Sequence, residues 1–129
     1  MVGFKTDELK QEFHEPRRFD WRLKIFLMLL GMIFHFKFQK ILIVTCLGRD
    51  YNPVSAHYNK DKICCAADIR SRDLSIEELT WLKNLDSMLN PYMDIVIEDE
   101  RYTGKIPPGG NHIHVELNPN YWTKLTGMI

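Results

Sequence analysis

Apolar residues recur along this chain with two different periods, and the places where the period changes mark its elements. Through residues 1–16, Phe4, Leu9 and Phe13 are spaced for a short, weakly amphipathic helix that Pro16 closes. Asp20 is placed to cap a second helix, which runs through Leu23, Phe26, Leu27, Leu30 and Phe34. Apolar side chains lie on nearly every side of that helix, so it is expected to be covered on both faces. After the polar break at residues 37–40, the β-branched run over residues 41–46 predicts a strand, and residues 47–53 a loop leaving it. Residues 63–69 predict a second strand, with Ile63, Cys65, Ala67 and Ile69 on one face and Cys64, Ala66 and Asp68 on the other.

Ser75 followed by Glu78 is a capping box. It opens a helix whose stripe is Ile76, Leu79, Leu82, Leu85 and Leu89, and Asn90-Pro91 stops it. Met93–Glu98 is expected as a third strand, residues 101–110 as a Gly- and Pro-rich turn or long hairpin loop, and His112–Leu117 as the last strand. The order offers few βαβ units. It predicts an α+β domain with helices packed on one face of a small, mainly antiparallel sheet. Residues 1–129 are read as one domain, with residues 1–19 as an N-terminal helical extension.

Composition narrows the picture. With 129 residues, 45% hydrophobic and 26% charged, the chain is an ordinary globular one that buries a real core without staples, and disorder is excluded. Seventeen basic and seventeen acidic side chains cancel, which argues against nucleic acid as a partner. Cys46, Cys64 and Cys65 are odd in number and two are adjacent, so no disulfide framework is expected. Residues 25–36 are strongly apolar and follow several basic residues. The run is short of the ~20 residues of a spanning helix, so a core helix and no membrane span are expected. It also lacks the features of an export signal.

The chemistry concentrates in three places. Ser55-Ala56-His57 lies in a polar loop, Asp68 ends a strand of small residues, and His112 and His114 share one side of the last strand because its side-chain period is two. Ile113, Val115 and Leu117 fill the other side. Two imidazoles on an open face beside a carboxylate make a metal pocket, and a His, Asp and His set with a fourth position left to water is the composition of a catalytic zinc site. Each of these residues alone has a plainer reading: exposed polar alternation, a turn acid, a loop histidine. Their combination singles them out.

Ser55-Ala56-His57, Ala66-Ala67-Asp68-Ile69 and His112-Ile113-His114 together resemble the zinc D-Ala-D-Ala carboxypeptidase family, which includes phage endolysins that cut peptidoglycan stem peptides and shares its fold with the hedgehog signalling domain. The resemblance spans residues 20–117. It implies a hedgehog/DD-peptidase-like fold, Zn2+ as cofactor, a peptidoglycan stem peptide as substrate, and His57, Asp68 and His114 as zinc ligands. It places Arg49, with Ser55, on the substrate side, where the guanidinium would hold a terminal carboxylate. The family pattern sets its histidine and aspartate seven positions apart, whereas Asp68 stands eleven after His57, as if residues 58–63 held a four-residue insertion. Asp61 is a rival ligand at closer spacing, though no small-residue strand follows it. Cys64 is read as a small buried thiol, with a soft zinc ligand as the alternative.

In several branches of the family an acid shortly precedes the last histidine; Asn111 and Gly109 stand near that place here. The general base is therefore sought among Glu98, Asp99 and Glu100, with His112 as a base or an oxyanion partner. The implied reaction is metal-assisted amide hydrolysis. The alternative is a catalytically inactive, metal-binding structural or binding module of the same fold, and beyond it a plain α+β domain without metal. Trp21, Trp81 and Trp122 are scattered and read as packing residues.

Overall fold

The computed structural model describes residues 2–15, 18–47 and 64–118. In chain order these form β1 (Val2–Phe4), α1 (Asp7–His14), α2 (Trp21–Phe38), β2 (Leu42–Cys46), β3 (Ala66–Ile69), α3 (Ile76–Leu89), β4 (Met93–Glu98), α4 (Glu100–Thr103) and β5 (His112–Leu117). The five strands make one sheet in the order β1-β2-β3-β5-β4. β1 pairs parallel to β2 and every other pairing is antiparallel, so the fold is α+β on a mixed sheet.

The N-terminal segment is more than a helical extension. Val2, Gly3 and Phe4 pair with Leu42, Ile43 and Val44 and add an edge strand before α1 begins. Three residues are too few to show a period, and the partner lies some forty positions away. Thr6 caps α1 by accepting from the Leu9 N–H, and Leu9 and Phe13 are its buried positions.

The helices pack on one side of the sheet. Alternation in β4 and β5 sends Met93, Ile95, Ile97, Ile113, Val115 and Leu117 into a core shared with Leu23, Leu27, Leu30 and Phe34 of α2 and Leu79 and Leu82 of α3. Phe34, Phe38 and Trp81 form an aromatic cluster with ring centroids 4.8–5.9 Å apart, which locks α2 to α3. The capping box at Ser75 and Glu78 is present, and Glu78 also takes an ion pair from Lys40 at 2.6 Å. α3 covers the edge of β4 as well. The buried Asp86 carboxylate accepts from the Ile95 N–H at 2.7 Å, satisfying a donor that an edge strand would otherwise leave unpaired.

Two expectations need correcting. α2 is buried along one face only; Trp21, Ile25, Met28, Leu29, Met32, Ile33 and Phe36, between 44% and 86% exposed, form an apolar stripe along its other face. A helix that is apolar all round carries no periodic signal, so the sequence could not tell a covered face from an open one. The second correction concerns β3, which begins at Ala66. Cys64 instead makes an isolated bridge with Phe19, its thiol donates to the Ala66 carbonyl at 3.0 Å, and it belongs to the core rather than to the Asp68 face. The soft-ligand reading of Cys64 falls with that change of direction. No helix among the described residues is long and apolar enough to cross a membrane.

Candidate functional site

The face of the sheet away from the helices carries the polar side chains. Register does the assembling: Asp68 of β3 stands opposite His114 of β5, and His112 stands opposite Glu98 of β4. Asp68 and His114 are 46 positions apart in sequence, and His114 Nδ1 donates to Asp68 Oδ1 at 3.0 Å. That hydrogen bond raises the His114 pKa above its ordinary value against the opposing effect of burial, and the charges of Asp68 and Glu116 add to the rise. One pleat repeat along β5, about 7 Å away, His112 Nε2 lies 2.9 Å from Glu98 Oε2 and Nδ1 lies 2.7 Å from the Gly110 carbonyl. Two imidazole–carboxylate pairs therefore sit side by side on the open face.

They line a cavity of about 730 Å³ whose walls also include Lys5, Thr45, Cys46, Arg70, Arg72 and Asn111. The walls follow from local structure. A register irregularity between Val44 and Cys46 makes a bulge in β2, so Thr45 and Cys46 both reach this wall, and the Thr45 hydroxyl donates to the Asp68 carbonyl at 3.3 Å. Beyond α4, Gly104, Gly109 and Gly110 all hold positive φ, which folds residues 104–110 back to the start of β5 at the cavity rim. Arg70, two positions after Asp68, continues its side of the strand, and Lys5 follows β1 across the sheet. Neither was singled out from the sequence. Two-residue alternation from Asp68 reaches Arg70, but nothing local signals Lys5.

Of the three successive carboxylates considered as general base, only Glu98 lines the cavity. Asp99 is corrected to a structural part. Fully buried, it caps α4 through the Arg101 N–H, accepts the Ser71 hydroxyl at 2.6 Å, and takes Arg101 Nε and Nη2 at 3.0 and 3.1 Å. The Arg101 hydrogen bond holds its carboxyl down at about 2, with help from Ser71 and against the burial that pushes it up. Glu100 is exposed in the first turn of α4.

Arg49, Ser55, His57 and Asp61 lie outside the described residues. Among the described residues no three His, Cys, Asp or Glu side chains converge as a metal group, so the donors in view are Asp68 and His114. Both are side-chain types that ligate zinc. Two ligands at ~2.0–2.1 Å in tetrahedral array stand ~3.3 Å apart, so for both to hold one ion the hydrogen-bonded Nδ1 and Oδ1, 3.0 Å apart, would have to separate and Nδ1 give up its proton. Burial, followed by the charge of Asp20, pushes Cys65 up to about 12, which makes it a poor source of thiolate.

Comparison of this chain with protein-family models, with curated proteins and with solved structures finds no match.

Proposed function

We propose that this chain is a zinc-dependent peptidase that hydrolyses peptidoglycan stem-peptide bonds, of the D-Ala-D-Ala carboxypeptidase or endolysin type, on a hedgehog/DD-peptidase-like fold. The observation that carries the reading is the pairing of Asp68 and His114 across neighbouring strands on the wall of an open cavity, at the positions that resemble the family's second and third ligands. In this reading His57 completes the set, with Arg49 and Ser55 on the substrate side. A zinc ion bound there supplies a polarised scissile carbonyl and a water of lowered pKa. Glu98 takes the proton from the attacking water and returns it to the leaving amine. His112, held by Glu98 and the Gly110 carbonyl, presents its ring edge to the same cavity and orients that carboxylate.

The test is turnover measured beside metal content. Purified protein is expected to take up about one zinc per chain and to release D-alanine or split a stem-peptide bond. Glu98→Gln is expected to lower the rate by about 10²-fold or more, the usual contribution of a positioned base, while zinc content stays unchanged. A second reading, the inactive metal-binding module, is favoured by Asn111 and Gly109, which stand near the place where an acid precedes the last histidine in several branches of the family, and by the four extra residues between His57 and Asp68. Full zinc loading with no hydrolysis of any stem peptide would leave that module standing. No zinc uptake at neutral pH would overturn both readings, since a competent site binds once its histidines are neutral.

A further inference from the structure

We infer that α2 is the interface of a symmetric homodimer, packing antiparallel against the α2 of a second copy. Its exposed stripe is built for that occupant. Trp21, Ile25, Met28, Leu29, Met32, Ile33 and Phe36 are between 44% and 86% exposed and lie at the three- and four-residue spacings of a single helix face. Side chains of this size carry roughly 150–250 Å² each, so the open area is on the order of 800 Å². A monomer's largest apolar patch is typically ~300–600 Å², whereas a stable interface covers ~800 Å² on each partner.

The order of six of these seven residues is self-complementary, Ile33 being the one whose mirror position, Lys24, is not apolar. A twofold axis crossing the helix between Met28 and Leu29 sets Trp21 against Phe36, Ile25 against Met32, and Met28 against Leu29 of the second copy. Each pair stands equidistant from that axis, as an isologous contact demands, and the antiparallel arrangement aligns the two helix dipoles favourably. The charges point the same way. α2 contains no acidic residue, and its cations are held by their own chain. Arg22 grips Asp20 at 2.9 and 3.1 Å, Lys24 lies 5.4 Å from the Phe13 ring centroid, and Lys37 lies 5.5 Å from that of Phe38. An anionic lipid surface would instead draw on a flank of outward-reaching cations. An uncharged stripe with its cations turned home matches a copy of itself.

Sedimentation equilibrium and light scattering on the full chain test this directly. The expected mass is twice the 15.3 kDa of one chain. Leu29→Glu buries two unpaired carboxylates next to the axis and is expected to weaken association by about 100-fold or more. Its far-UV circular dichroism should match the parent, because Leu29 lies outside the core. Met32→Glu serves as an independent second variant. An Ile25→Cys, Met32→Cys double variant is expected to oxidise to a covalent dimer, whereas Ile25→Cys alone is not. A monomer at up to about 0.5 mM, a dimer indifferent to both glutamates, or a monomer that floats with anionic vesicles would overturn the proposal.

Discussion

His114→Ala is expected to remove zinc uptake and hydrolysis together, leaving stem-peptide cleavage at the uncatalysed level. His114 Nδ1 is the donor that faces Asp68 at 3.0 Å, and the two hold adjacent positions in the β3–β5 register. Deleting the imidazole removes the hydrogen bond to Asp68 Oδ1 and leaves any ion at least one ligand short of the three protein ligands that a catalytic zinc site keeps. The fold should survive. Ile113 and Val115 hold β5 in the core from the other side of the strand, and His114 contributes nothing there. Inductively coupled plasma analysis, circular dichroism and a stem-peptide assay on one preparation separate these effects. Asp68→Asn keeps the shape and removes the charge, so it is expected to weaken zinc binding rather than abolish it. A His114→Ala protein that still carries one zinc per chain would sink the proposed ligand set.

Much of this arrangement could be read before any coordinates, and the reason is periodicity. β4 and β5 fall at Met93–Glu98 and His112–Leu117 because apolar residues alternate strictly on their core face, and the same alternation sets His112 and His114 on the opposite one. The capping box marked the start of α3 through local chemistry alone. What stayed hidden depends on non-local register. No run of residues near Asp68 says that it meets His114, or that Glu98 meets His112; those contacts come from pairings across 46 and 14 positions. Glu98, Asp99 and Glu100 are equivalent as letters. They part company only because β4 ends at Glu98, which puts one carboxylate on the strand's open face and turns the next into a helix cap. The edge strand β1 and the brief α4 were missed because neither is long enough to show a period.

That cap carries the largest expected effect on stability. Asp99→Ala is expected to destabilise the fold by about 3 kcal/mol, because it removes a buried charged acceptor and strands its donors. The donors are specific: the fully buried Ser71 hydroxyl, the Arg101 backbone N–H, and a guanidinium that also reaches the Leu74 and Ser71 carbonyls at 2.8 and 2.9 Å. Through these bonds one carboxylate ties α4 to the segment between β3 and α3, closing the end of the sheet from which Glu98 projects. Acid should trace the same interaction. The Asp99 pKa is about 2 in the folded protein, below the 3.8 of an unperturbed aspartate. Its charge therefore contributes stability in full above the unfolded value, and that stability is lost as the pH falls through the folded one. The contribution is on the order of 2 kcal/mol, moderated by the partial exposure of Arg101 to water. Urea unfolding of the parent and of Asp99→Asn at pH 6 and at pH 2.5 should show a gap that narrows with acid, since the parent gives up part of its advantage as Asp99 protonates. A gap that stays constant across that range would mean that the neutral Ser71 and backbone hydrogen bonds, not the carboxylate charge, hold this corner.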